Sequence, residues 1–144
     1  MHDVGEIRTP PHILKKPGRL TPEEWDEMKK HTIYGQIIIG EHPRLKMARK
    51  IDISHHERWD GCGYPYGLKE EQIPIEDRIV TIADQYDALR NERAYKPSFD
   101  HETSWRIIGE GDDRTMPHNF DPGILKAFRD IASRFEETYE RLKG

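Results

Sequence analysis

Between Ser54 and Pro65 the chain reads Ser-His-His-Glu-Arg-Trp-Asp-Gly-Cys-Gly-Tyr-Pro, two adjacent imidazoles and two carboxylates running into a glycine-rich turn. Packing alone seldom asks for that combination, so a helix entering here has to end among polar groups that need partners. Metal ligation is one explanation, because histidine is the commonest metal ligand. A polar helix end, with one ring near the last carbonyls, is the other. On a helix, adjacent side chains point about 100° apart. His55 and His56 are therefore expected to suit two different ions better than one.

The chain opens on His2 and Asp3, with no room for an element before them. That pair is expected at a frayed edge, in a domain that is N-terminally truncated and lacks upstream helices. Residues 8–20 carry Pro10, Pro11, Pro17 and Gly18 and read as a loop, since proline removes a donor and restricts the residue before it. Thr21-Pro22-Glu23-Glu24 gives an N-cap, a proline at the first helical position and a capping-box glutamate. The helix it starts is expected to run to about Ile39, with Trp25, Met28, His31, Gly35 and Ile38 on its apolar side. His31 there is either a buried neutral imidazole or a ligand.

A second helix, from Pro43 through Leu45, Ala48 and Ile51, delivers His55 and His56. Gly61, Gly63, Pro65 and Gly67 then break the chain into an irregular connection. Ile75, Ile79, Ile82, Tyr86 and Leu89 recur at helical spacing. Asp84 and Asp87 share one side of that helix. Burying Asp84 beside Ile82, Ala83 and Ala88 is costly unless it is paired or bound to a metal. Arg90 to Pro97 ends the helix with positive charge, which either complements the helix dipole or meets phosphate.

Ser98 or Asp100 is expected to cap a short helix carrying Trp105, Ile107 and Ile108. Residues 109–119 are expected to be a mobile loop. A C-terminal helix over 121–143 starts at Asp121-Pro122 and presents Ile124, Phe128, Ile131, Phe135, Tyr139 and Leu142 on one face. No alternating strand pattern of useful length occurs, so the fold class is all-α.

Composition limits what such a bundle can be. At 144 residues the chain fits a single domain. Val, Ile, Leu and Phe make up only about a fifth of it, which implies a core that is thin or partly supplied from outside. A net charge of -4 argues against DNA, RNA or an anionic membrane as partners. One cysteine, Cys62, allows no internal disulfide and reads as a spacer between two glycines, and no apolar run reaches membrane length. The cytoplasm is the expected compartment.

Together His2, Asp3, His31, His55, His56 and Asp84 supply imidazoles and carboxylates with no thiolate, a donor set for iron, manganese or zinc at a hydrolytic centre rather than a closed structural zinc. These residues resemble the HD-GYP domain, a bacterial subgroup of the HD metal-dependent phosphohydrolases. His2-Asp3 resembles the HD pair and Gly63-Tyr64-Pro65 the GYP triplet. The segment from His55 to Gly61 and on to Pro74, then Ile82-Ala83-Asp84, Asp87-Ala88-Leu89, Arg93 and Tyr95-Lys96, follow in the family's order.

The resemblance implies an HD-type helical bundle that hydrolyses cyclic di-GMP to the linear dinucleotide or GMP through metal-bound hydroxide. It implies two or three divalent ions, iron or manganese before zinc, held by His2, Asp3, His31, His55, His56 and Asp84, with Asp3 as bridge and Asp3 and Asp84 as catalytic carboxylates. Asp60, Gly63, Tyr64, Pro65, Asp87, Arg93 and Lys96 would meet the substrate. An upstream regulatory domain and a homodimer are further expectations. Glu6 stands where such proteins usually carry a lysine, which implies weak or absent turnover. The alternatives are a non-catalytic module binding cyclic di-GMP or a protein partner, and hydrolysis of another nucleotide.

Overall fold

The computed structural model describes residues 2–92 and 97–143. Arg93 and Lys96, expected at the substrate, lie outside the described residues. Among the described residues all regular elements are helical. The chain groups into two compact units, Met1–Asp77 and Arg78–Gly144, each described by itself.

The first unit begins with a 3-10 turn, Val4–Arg8, in which Glu6 N–H donates to the Asp3 carbonyl at 3.0 Å. The expected frayed edge is instead a turn packed on the chain, with Gly5 buried. Within the expected loop 8–20 a short helix forms, α1 (Pro11–Leu14), because Pro11 sits in its first turn where the missing N–H costs nothing.

The helix expected from Thr21 to Ile39 is two, α2 (Pro22–Lys29) and α3 (His31–Ile39). They meet at Lys30, whose ψ of -13° departs from the helical value. The capping box forms as expected: Glu24 N–H donates to Thr21 Oγ1 at 3.2 Å and Thr21 N–H to Glu24 Oε2 at 2.8 Å. A 3-10 turn, Pro43–Leu45, precedes α4 (Lys46–Ser54), and α5 (Ile75–Arg90) begins at the end of this unit.

What the unit buries is unusual. Its buried apolar residues are Ile13, Ile53 and Ile73, while Thr9, His31, Thr32, Asp52, Ser54, His55, Glu57 and Asp77 are buried and polar. Gly35 makes room for one of them, since a Cβ there would land 1.6 Å from Asp52 Oδ2. Burial pushes Asp52 up to about 6 and Asp77 up to about 7.

For Asp77 the consequence has a definite sign. A carboxyl whose folded pKa exceeds its unfolded value contributes stability that is complete below about pH 4 and is lost as pH rises towards 7. Denaturant titration of metal-free protein is expected to give about 2 kcal/mol less stability at pH 7 than at pH 5 from this group. Asp77→Asn is expected to flatten that slope. An unchanged slope in the variant would assign the pH dependence elsewhere.

The second unit holds the rest of α5, then α6 (His101–Glu110), α7 (Pro122–Asp130) and α8 (Ala132–Leu142). Asp100 rather than Ser98 caps α6, accepting from Thr103 N–H at 2.8 Å. Over 109–119 the chain makes a hydrogen-bonded turn: Asp112 Oδ1 accepts from Arg114 and Thr115 N–H, and a 3-10 turn follows at Pro117–Asn119.

The expected helix over 121–143 is broken at Ile131, where φ -115° and ψ 22° leave the helical region. Ile82, Tyr86, Leu89, Ile107, Ile108, Phe120, Leu125 and Phe128 form the apolar core of this unit, with Phe135 and Tyr139 packed against it. Asp121 ties the unit together, capping α7 through Gly123 and Ile124 N–H and accepting from Arg78 Nη1 at 2.7 Å.

Candidate metal centre

Three elements of the first unit bring four of the expected ligands together. Asp3 enters on the opening 3-10 turn, His31 is the first residue of α3, and His55 caps the C-terminus of α4 with His56 just beyond it. One ligand atom from each of Asp3, His31, His55 and His56 lies within 4.8 Å of the others. Each of them was expected to bind metal. His55 and His56, expected to suit two different ions better than one, have ring centroids 4.1 Å apart in one cluster.

His31 Nδ1 sits 2.7 Å from the Met28 carbonyl, and His55 Nδ1 lies 3.0 and 2.9 Å from the carbonyls of Ile51 and Asp52. A carbonyl can only accept, so each Nδ1 carries a proton, and a neutral ring in this tautomer leaves Nε2 as its lone-pair atom. Burial lowers the His31 pKa, which also favours the neutral ring. Both lone pairs point at the same carboxylate, with Asp3 Oδ1 at 3.7 Å from His31 Nε2 and 3.3 Å from His55 Nε2. The buried His31 Nε2 makes no hydrogen bond.

Three acceptors converging on one point repel unless a cation lies among them, so this donor set fits a divalent ion. His2 joins from the side, with Nε2 3.0 Å from Asp3 Oδ2 and its ring 5.1 Å from that of His55. The hydrogen-bonded His2 ring holds the Asp3 carboxyl well below the usual carboxylate range, so it stays charged. Glu6 is half-buried one turn beyond Asp3.

The glycine-rich connection forms one wall. Tyr64 N–H donates to the His56 carbonyl at 3.1 Å, and the Tyr64 ring stacks on that of His56 with centroids 4.8 Å apart. Gly63 is needed for this close approach, since a Cβ there would fall 2.4 to 2.5 Å from backbone atoms of His56, Glu57 and Arg58. Pro65 is half-buried beside it. Asp60, expected to touch substrate, uses Oδ1 to accept from Cys62 N–H at 2.9 Å and so shapes the turn.

Glu57, one of the two carboxylates of the 54–65 stretch, has no site role in the sequence reading. Its carboxylate is buried and accepts from Tyr66 N–H at 2.7 Å and Leu68 N–H at 2.9 Å, clamping the turn to the end of α4. Nothing in the sequence signals this, because backbone donors look alike in every residue. Glu57→Ala is expected to cost about 2 kcal/mol by leaving two N–H groups without their charged acceptor, and Glu57→Gln less. Denaturation and amide exchange at Tyr66 and Leu68 check this; unchanged protection in Glu57→Ala would refute the clamp.

Asp84 and Asp87 belong to the second unit. Asp84 is half-buried on α5, whereas Asp87 is exposed and lines a cavity of about 660 Å³ with Tyr86, Asn91, Phe135 and Tyr139.

A family model described as the HD domain matches residues 1–116. A protein of Vibrio cholerae serotype O1 named cyclic di-GMP phosphodiesterase is 41% identical over 142 residues, covering 94% of this chain and 28% of its own length. A Thermotoga maritima protein of the same name is 41% identical over 145 residues, covering 99% of this chain and 38% of its own. A third relative, the 3'3'-cGAMP-specific phosphodiesterase 2 of Vibrio cholerae, is 45% identical over 104 residues, covering 71% of this chain and 20% of its own. The chain spans well under half the length of these curated relatives.

Proposed function

The chain belongs to the HD domain family, and from that premise we propose that it is an HD-GYP-type, metal-dependent phosphodiesterase acting on cyclic di-GMP. The observation that carries the proposal is the convergence of Asp3, His31, His55 and His56 on one point beside the Tyr64 turn. The family match runs past Asp77, where the first compact unit ends, which supports reading 1–144 as one domain.

When bound, divalent ions, with iron or manganese ahead of zinc, supply Lewis-acid charge to the phosphodiester and lower the pKa of attacking water. The chain's own residues supply the rest. Asp3 brings a negative charge that stays ionised, and His31 and His55 bring lone pairs whose direction is fixed by backbone carbonyls. Fixing the ligands in advance avoids reorganisation when charge develops on the phosphate. On the family resemblance, His2 and Asp84 complete the ligand set. Gly63, Tyr64, Pro65, Asp60, Asp87, Arg93 and Lys96 are assigned to the substrate on the same ground. Slow turnover belongs to the proposal too, since Glu6 adds negative charge to the turn that carries Asp3.

No described helix is long and apolar enough to cross a membrane. A cytoplasmic setting is part of the proposal and is supported by the exposed free thiol of Cys62. The relative named for 3'3'-cGAMP favours a second reading, in which the mixed cyclic dinucleotide is the substrate of the same centre.

The test is incubation with Mn²⁺ or Fe²⁺ and each cyclic dinucleotide, with metal analysis and chromatography of linear dinucleotide and mononucleotide. Metal-dependent product that disappears in Asp84→Ala supports the proposal. Bound metal with no product from either substrate would reject it in favour of a binding module.

A further inference from the structure

We propose that Trp25 forms, with Tyr64, a purine-binding corner beside the candidate ion centre, taking one base of a cyclic dinucleotide; the proposal rests on the phosphodiesterase reading above. Helical spacing puts Trp25 on the apolar side of its helix, yet α2 buries no residue and the indole is 47% exposed. Trp59 and Trp105 are more covered. A lone exposed aromatic is ordinary. Its location is what matters here.

The indole meets the Tyr64 ring nearly edge to face, with centroids 6.0 Å apart and planes at 81°. Tyr64 in turn stacks on His56, a member of the candidate ion cluster. The exposed tryptophan is therefore one ring beyond the wall of the centre. Two aromatic planes close to perpendicular offer a face on which a base can stack and a side against which its edge rests.

Both sides of the corner are held. The Thr21 capping box fixes the first turn of α2, and Lys16 Nζ donates to Glu24 Oε2 in that same turn. On the other side, Glu57 clamps the turn that carries Tyr64. Rigid aromatic surfaces lose little entropy when a planar ligand settles on them, and every nucleobase offers a π-face. A phosphodiester at the ions carries its purines a nucleoside's reach away. The centroid steps of 6.0 Å from Trp25 to Tyr64 and 4.8 Å from Tyr64 to His56 keep the corner within that reach of the cluster.

The experiment measures calorimetric affinity of the full chain, loaded with Mn²⁺, for a hydrolysis-resistant phosphorothioate analogue of cyclic di-GMP. Trp25→Ala is expected to weaken binding by about tenfold or more, and Trp25→Phe to recover most of the loss. Affinities for Mn²⁺ alone and for inorganic phosphate, which has no base, are expected to stay at wild-type values.

Unchanged analogue affinity in Trp25→Ala overturns the corner, as does no analogue binding by the wild type. An equal loss of phosphate affinity also overturns it, because Trp25 would then act on the centre and not on the base. Hydrolysis with no dependence on Trp25 leaves the phosphodiesterase standing without the corner. Binding that depends on Trp25 with no hydrolysis does the reverse.

Discussion

Asp3→Ala is expected to lower metal-dependent phosphodiester hydrolysis by roughly a thousandfold or more and to abolish tight Mn²⁺ binding. Asp3 is the one group in the cluster that brings a full negative charge, and His31 Nε2 and His55 Nε2 both face its Oδ1. Without it the two imidazoles still present lone pairs, but nothing neutralises a divalent ion among them. Several kcal/mol of transition-state stabilisation come from such an ion, and each 1.36 kcal/mol is a factor of ten in rate. Asp3→Asn separates charge from shape, because it keeps the volume and one carbonyl acceptor. It is expected to fail almost as badly. Calorimetric Mn²⁺ titration and product formation measure both variants, and wild-type ion affinity in Asp3→Asn would show that the carboxylate does not hold the ion.

What could be read from the sequence is what local chemistry decides. Thr21 with Glu24, Asp100 with Thr103, and Asp121 with Pro122 mark helix starts because each cap is made within three residues of the cap itself. The placing of His31 and Gly35 on one buried side follows from helical spacing alone. The breaks at Lys30 and Ile131 were not legible, since neither residue is a helix breaker and packing sets their dihedrals.

Likewise, nothing local says that α4 ends at Ser54. Trp25 was placed on the correct helix but wrongly on a covered side. Helical spacing predicts a direction, and whether another element lies in that direction is a tertiary fact. The donor residues that cluster in the first unit were legible as candidates, residue type by residue type. Their convergence was not, because Asp3 reaches the cluster through a 3-10 turn whose close packing depends on a glycine with no distinctive local signature.

That glycine supports the second large effect. Gly5→Ala is expected to destabilise the fold by more than about 3 kcal/mol and to weaken Mn²⁺ binding along with it. A Cβ at residue 5 would stand 1.8 Å from the His31 carbonyl oxygen and 2.5 Å from Gly35 N. Both are backbone atoms of α3, so no side chain can swing away to relieve the clash. The Val4–Arg8 turn has to lift, and it carries Asp3 with it, two residues upstream, away from His31 and His55. A purely structural role for Gly5 would lower stability and leave ion affinity per folded molecule unchanged, so both are measured: denaturation midpoint, and Mn²⁺ affinity at a temperature where the variant is folded. Val4→Ala, which shortens a half-buried side chain in the same turn without adding an atom near α3, is the control and should retain ion affinity. Wild-type stability and ion affinity in Gly5→Ala would mean that the turn does not lie against α3 and that Asp3 is not held at the cluster by that contact.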